Sequence, residues 1–287
     1  MRITRRHFVQ LGSTAIAGAL VPPHVLHSAS RAARPRLQQS VSRWPFESIP
    51  FDQFCRAAKI MGLTAIDLLD APDWERVREY GLVCSMGNPT SRSDFIPRGF
   101  NDRASHTLLL TELEAAIPLA ATHGVPNVIT MFGNRNGRSD GDAINACIDG
   151  LRIIAPLAEE HGVTVCVELL NSKVDHTDYQ GDRTWFGVEV IKGVESPRVR
   201  LLYDIYHMQI MEGDVIRTIR DNFDFIAHFH TGGVPGRHEL DGSQELNWRA
   251  IALAIADLKF TGYLAHEFVP TRDPLTSLRE AVAICDV

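Results

Sequence analysis

Four successive apolar runs in this 287-residue chain end on residues that bind cations. Residues 163–168 close on Glu168, 199–204 on Asp204, 225–230 on His230 and 262–267 on Glu267. A single acid at the end of such a run reads as a helix cap or a salt-bridge partner. Three acids and an imidazole brought to one place are costly unless a cation neutralises them. Mostly oxygen donors with one nitrogen suit Mn2+, Mg2+ or Co2+, and they admit Zn2+. A divalent metal that chelates a carbonyl and its neighbouring hydroxyl stabilises the enediolate left when a proton departs the carbon beside the carbonyl. A carboxylate over that carbon takes the proton. Returning it to the adjacent carbon isomerises the compound, and returning it to the opposite face epimerises it. Glu168 and Glu267, on non-adjacent runs, are placed to flank such a substrate for either outcome.

Convergence of this kind requires strands that end on a common rim. Candidate strands cover residues 39–43, 64–69, 83–86, 127–132, 164–169, 200–203, 225–229 and 263–267. Helical patterns separate them, most clearly the stripe Ile144, Cys147, Ile148, Leu151, Ile154 and Ala158. Glycines at 62, 81, 124, 162 and 262 suit the left-handed position between a helix and the next strand. Pro118 and Pro156 fall inside helical patterns and predict kinks or early breaks. Eight strand–helix repeats in roughly 250 residues point to one closed parallel (β/α)8 barrel. A doubly wound open sheet is the alternative, but no G-x-G-x-x-G follows the first strand and no G-K-[ST] loop is present. In a barrel, chemistry sits where strands end and loops begin, which is where the four residues fall.

The stretches carrying these residues resemble a known family. Val167-Glu-Leu-Leu-Asn-Ser-Lys173, Tyr203-Asp-Ile-Tyr-His-Met-Gln-Ile-Met-Glu-Gly-Asp214, His228-Phe-His-Thr-Gly-Gly-Val-Pro-Gly-Arg237 and Gly262-Tyr-Leu-Ala-His-Glu-Phe268 look like the hydroxypyruvate isomerase family. That family belongs to the xylose isomerase-like barrels, with the ketose 3-epimerases as relatives. The resemblance runs from about residue 38 to the C-terminus, and its most specific piece is D-x-Y-H-M-Q after the sixth strand. It implies Glu168, Asp204, His230 and Glu267 as metal ligands, the two glutamates as the proton-transferring pair, and His207 and Arg237 as substrate contacts. His106 lies in a segment similar to one of the family and is expected to face the pocket. Hydroxypyruvate isomerases carry Gln at the third ligand position, followed by I-A-D. This chain has His230-Thr-Gly-Gly233, and His there is the residue of the ketose epimerases.

The expected substrate is therefore a small hydroxy-keto acid, hydroxypyruvate going to tartronate semialdehyde, with a ketose as the alternative. Arg237 is placed to pair bidentately with a substrate carboxylate. A metal-dependent endonuclease or lyase on the same barrel would add basic grooves and further His ligands. A binding protein that had lost catalysis would lack a glutamate, and both are present. The formal charge of −6 and pI near 6.0 give no support to nucleic-acid binding. Five cysteines without a C-x-x-C pair indicate neither a disulfide framework nor a structural zinc site, but buried thiols. The reading accommodates a homo-oligomer without requiring one.

The first residues read differently. Arg5-Arg6 precede Phe8 and a modest apolar run, residues 11–21, too short to span a bilayer. The segment resembles a twin-arginine export signal. Residues 1–33 are expected to be that signal and 34–287 the barrel, exported to the periplasm or beyond and not membrane-bound after cleavage.

Overall fold

The computed structural model describes residues 37–287, and the expected export segment lies outside the described residues. Eight parallel strands form a closed barrel: β1 (Gln38–Ser42), β2 (Ala65–Leu69), β3 (Val83–Gly87), β4 (Asn127–Met131), β5 (Thr164–Leu169), β6 (Val199–Asp204), β7 (Ile226–Thr231) and β8 (Tyr263–His266). Each pairs with its successor, and β8 closes on β1 through Val41 opposite His266. The helices are α1 (Phe51–Ile60), α2 (Ala71–Arg76), α3 (His106–His123), α4 (Asp140–His161), α5 (Thr184–Val194), α6 (Ile205–Met211), α7 (Val215–Asp221), α8 (Trp248–Asp257) and α9 (Pro274–Cys285). All eight expected strands are present, with boundaries that differ by at most two residues.

Parallel strands covered on both faces read as continuous apolar runs, and every residue of β5 is buried. The stripe on α4 packs inward through Cys147, Leu151, Ile154 and Ala158, and Ser139 caps the helix by accepting from the Asp142 N–H at 3.1 Å. Gly124 and Gly162 end α3 and α4 with φ of 70° and 67°, as expected. The early breaks expected at Pro118 and Pro156 do not occur, because both helices run through them. A proline removes one backbone N–H bond, while Ile117, Ala120, Ala155 and Ala158 keep those turns buried against the barrel. The five cysteines are free and buried.

Two irregularities shape the mouth of the barrel. β2 slips register against β3 on both sides of Asp67, and Leu68 takes φ of 53°. A bulge of this kind re-aims side chains beside active sites. Asp67 points into the buried interior, while its neighbour Leu68 lines the cavity above, which strict strand alternation would forbid. The second irregularity is the loop after β7, where Arg237 has φ of 57°. Non-glycine residues hold that conformation only when their surroundings impose it. Val269 N–H donates to the Arg237 carbonyl at 2.6 Å.

Glu239, two residues on, ties this loop to the one after β8. Its buried carboxylate accepts from the Thr271 N–H (2.8 Å) and hydroxyl (2.9 Å), the Arg272 N–H (3.2 Å) and the Ser277 hydroxyl (2.9 Å). Burial raises its carboxyl, but these hydrogen bonds outweigh burial and bring it to about 2, below the ordinary 4.5. A folded-state value below the unfolded one stabilises the fold above the ordinary carboxyl range, and that contribution is lost as pH falls toward 2. Glu239→Gln should cost about 1–3 kcal/mol in urea unfolding at pH 7, with the gap from wild type closing on acidification. Equal stability of the two at pH 7 would contradict this role.

Candidate metal centre and the cavity above it

The register of the last four strands sets their terminal side chains around one point. Asp204 of β6 lies opposite His230 of β7, and Glu168 is near the end of β5. Glu267 follows β8 directly. Among the described residues, the donor atoms of Glu168, Asp204, His230 and Glu267 all lie within 4.8 Å of one another, and all four residues are buried. His230 Nδ1 is 2.6 Å from Glu267, 3.3 Å from Glu168 and 3.9 Å from Asp204. Despite these approaches, Nδ1 makes no directed hydrogen bond. Nδ1 thus lies close to three carboxylates without a well-formed hydrogen bond to any one of them. An unpartnered buried nitrogen aimed into three carboxylates is a donor set that fits a divalent cation, with oxygen and imidazole ligands of the expected kinds.

The opposite ring nitrogen explains the aim. His230 Nε2 is 2.9 Å from Asp67 Oδ2, and His228 Nε2 is 3.1 Å from Asp67 Oδ1. Ser85 donates to Asp67 Oδ1 at 2.5 Å. Burial would raise the Asp67 carboxyl, but His228 and His230 hold it well below the usual carboxylate range. An ionised Asp67 accepting from Nε2–H leaves Nδ1 as the lone-pair donor toward the cluster, the arrangement that orients metal-binding histidines. Sequence reasoning missed Asp67. Its signal was an acid inside the apolar run Ala65-Ile-Asp-Leu-Leu69, but its partner stands 163 residues away.

Each remaining candidate has a clear place. Arg237 lines the cavity, but its donors are already committed: Nε to the Glu267 carbonyl (2.9 Å), Nη1 to His207 Nε2 (2.8 Å), and Nη2 to Asp204 (2.6 Å) and to the Glu267 carboxylate. It does not stand ready for a substrate carboxylate, as the sequence had suggested. His207 lines the cavity too. Burial, and then the Arg237 charge, lowers it well below the usual imidazole range, so the ring is neutral. Asp204 also caps α6 by accepting from the His207 N–H at 3.2 Å. His106 is not in the cavity. It opens α3, bonds the Phe100 carbonyl through Nε2 at 2.9 Å and packs over Gly150 of α4, which corrects the expectation that it faces the pocket. Trp44, a second residue missed in the sequence, donates its indole N–H to Glu267 Oε1 at 2.5 Å.

The cavity above the cluster encloses about 1050 Å³. Of the four clustered side chains, only Glu168 and Glu267 line it, while Asp204 and His230 sit behind with no exposed surface. The two glutamates differ in character. Burial pushes Glu168 up to about 7, with His230 only partly opposing it. Burial acts on Glu267 as well, but the Arg237 and His230 charges outweigh it and hold the carboxyl at about 2.

Residues 56–285 match the xylose isomerase-like TIM barrel family. The chain belongs to that family. It is 25% identical over 240 residues to a putative hydroxypyruvate isomerase from Homo sapiens, covering 82% of this chain and 80% of the relative. A D-psicose 3-epimerase from Agrobacterium fabrum is 33% identical over 128 residues, 43% of this chain and 42% of that one. The crystal structure of an AP endonuclease, family 2, from Brucella melitensis superposes with a TM-score of 0.75 at 23% identity, covering 84% of this chain and 97% of its own. At that identity the structural likeness speaks for the fold alone.

The geometry makes Asp67 the test of how His230 is aimed. Asp67→Ala should weaken divalent-metal affinity roughly 10- to 100-fold, and Asp67→Asn, which keeps an acceptor for Nε2–H, should recover part of it. Titration of the apoprotein with Mn2+ or Co2+ reads both variants, with circular dichroism as the check on folding. Wild-type affinity in Asp67→Ala would end this assignment.

Proposed function

We propose that the protein is a metal-dependent isomerase of a sugar-like hydroxy-carbonyl compound, working through an enediolate. The observation that carries the proposal is the unpartnered His230 Nδ1 among three buried carboxylates, two of which open onto the cavity. The human and Agrobacterium relatives, named as an isomerase and an epimerase, support the same class of proton transfer. Glu168, Asp204, His230 and Glu267 would hold the cation. When bound, it supplies Lewis-acid stabilisation of negative charge developing on substrate oxygens.

The chain's own groups do the rest. A carboxyl poised near the operating pH is the efficient proton carrier, and burial places Glu168 there. Glu168 takes the proton from the carbon beside the carbonyl and becomes the neutral acid. It then gives the proton to the neighbouring carbon while the hydroxyl proton passes to the former carbonyl oxygen, so the substrate is isomerised with no net gain or loss of protons. Epimerisation instead needs a second acid on the opposite face. Glu267, held ionised by Arg237, is a poor donor for that step, which favours the single-carboxylate shuttle. The neutral His207 and the Arg237 guanidinium, bonded to each other, border the same space, and Arg237 fixes the carboxylates of Asp204 and Glu267 beneath it.

Between the two substrate classes raised by the sequence, the engagement of Arg237 favours a neutral ketose over hydroxypyruvate. Glu168→Gln should lower kcat about 100- to 10,000-fold, with much of the metal affinity kept by the other three ligands. Chelation should abolish turnover and lower Tm, since a cation bound only by the folded state stabilises it by mass action. An unchanged melting curve with no metal in elemental analysis would remove the metal centre. Turnover of ketoses undiminished in Glu168→Gln would remove the shuttle.

Export by the twin-arginine route is proposed as well, supported by Arg5-Arg6, Phe8 and the apolar run that follows. Among the described residues no helix is long and apolar enough to cross a membrane. Exchanging Arg5-Arg6 for Lys-Lys should retain the protein in the cytoplasm on fractionation. Normal periplasmic yield from that variant would refute the route.

A further inference from the structure

The proposed metal centre occupies only one side of the cavity. Its four side chains come from β5 to β8, whereas the lining continues to Asp70 and Asn88, at the ends of β2 and β3, across the closed ring. A cavity of about 1050 Å³ is at the upper end of the roughly 300–1,000 Å³ that encloses a drug-sized ligand. A three-carbon keto acid gripped at Glu168 and Glu267 would leave most of it empty.

The far side has a definite chemistry. Three arginines line the whole cavity against six carboxylates, formally −3, and away from Arg237, Glu168, Asp175 and Glu267 the balance is Arg43 and Arg76 against Glu47, Asp70 and Asp73, formally −1. Beside Arg237, Arg43 is spent on the carbonyls of Phe46 (2.5 Å) and Ile49 (2.9 Å), and Arg76 on Asp52 (2.7 Å) and Asp73 (3.4 Å). Each guanidinium already donates to acceptors of the chain itself, Arg76 while still partly exposed. The acceptors are less committed. Asp70 takes one bond, from Asn88 Nδ2 at 2.9 Å, while an ionised carboxylate offers about four lone-pair sites. Acceptors in excess of donors bind hydroxyl groups. The intervening wall is apolar, formed by Leu68, Phe95 and Ile96, with Trp44 at the rim, 43% exposed and fixed through its indole N–H. An aromatic face beside carboxylate acceptors suits a ring that is apolar on its faces and hydroxylated at its edge.

We infer that the half of the cavity bounded by the ends of β1 to β3 is a binding subsite for a neutral, hydroxyl-rich group beyond the reacting carbons, so that the substrate is an uncharged sugar derivative longer than a single hexose. The orientation rests on the isomerase reading, which places the reacting carbons at Glu168 and Glu267. Calorimetry on the metal-loaded full-length protein tests the inference, with D-fructose as the one-ring ligand, lactulose, isomaltulose and turanose as neutral two-ring ketoses, and hydroxypyruvate as the anion. At least one two-ring ketose should bind about tenfold tighter than D-fructose, as one or two net hydrogen bonds allow, and hydroxypyruvate should be the weakest. Asp70→Ala and Asn88→Ala should each bring that ratio close to one, with melting curves reporting intact folds. The subsite is overturned if no disaccharide gains on D-fructose, if hydroxypyruvate binds best, or if both variants leave the ratio intact. Turnover in the same samples separates the two readings. Conversion of D-fructose or hydroxypyruvate without a disaccharide preference removes the subsite and keeps the isomerase. A preference lost in the variants, without conversion of any ketose, keeps the subsite and removes the isomerase.

Discussion

Three carboxylates around one imidazole, all nearly cut off from water, would repel one another strongly without compensating positive charge. Glu168, Asp204 and Glu267 meet at His230 in that way, and much of the surrounding structure supplies compensation. Arg237 pairs with two of the three acids and is held in a left-handed backbone conformation to do so. Burial disfavours charge on His230, yet Glu267 and Asp67 raise it well above the ordinary imidazole range. Cationic compensation therefore comes from the loop above and, where no cation is bound, from a protonated ring within, and the proposed divalent ion would replace that proton on Nδ1.

That local demand explains features distant in sequence. The bulge at Leu68 lets Asp67 enter the interior to fix His230 while Leu68 itself faces the cavity. The four hydrogen bonds at Glu239 hold together the loops after β7 and β8, and these carry Arg237 and Glu267 respectively. Trp44, just past β1, reaches across the closure between β1 and β8 to the second Glu267 oxygen. A closed barrel makes such support economical, because the ends of the first and last strands are neighbours.

The parts legible in sequence were those written locally. Alternating strand and helix patterns, with glycines such as Gly124 and Gly162 between them, encode the repeat. An acid or histidine at each of four successive strand ends encodes the cluster, since barrel geometry brings equivalent positions to one rim. What stayed hidden depends on tertiary placement. Asp67 is an acid within an apolar strand, and only ring closure shows that it faces His228 and His230. His106 sits beside a family-like segment, but the first turn of α3 directs it toward Phe100 and Gly150, outside the cavity. Arg237 was recognisable as a cation near the site, whereas its commitment to Asp204, His207 and Glu267 requires the folded loop. Pro118 and Pro156 are local signals that ended neither helix, because packing of the surrounding turns outweighed one missing hydrogen bond each.

The commitment of Arg237 also bears on stereochemistry. Two glutamates at the ends of non-adjacent strands, facing one cavity, suggest a symmetric acid–base pair, as an epimerase needs. Their surroundings here are not symmetric. Arg237 and Trp44 both donate to the Glu267 carboxylate, and Arg237 donates to its carbonyl as well, whereas Glu168 meets the His230 ring and has no hydrogen bond from Arg237. A bound cation would lower both carboxyls, yet the difference set by Arg237 would persist, because the guanidinium is bonded to Glu267 and not to Glu168. The hydrogen bonds from Arg237 and Trp44 therefore favour the charged form of Glu267 over that of Glu168. A proton taken and returned by one carboxylate stays on one face of the substrate, which is the geometry of transfer between adjacent carbons. On the proposed reading, the same guanidinium that makes a crowded acidic cluster tolerable would also bias it toward isomerisation.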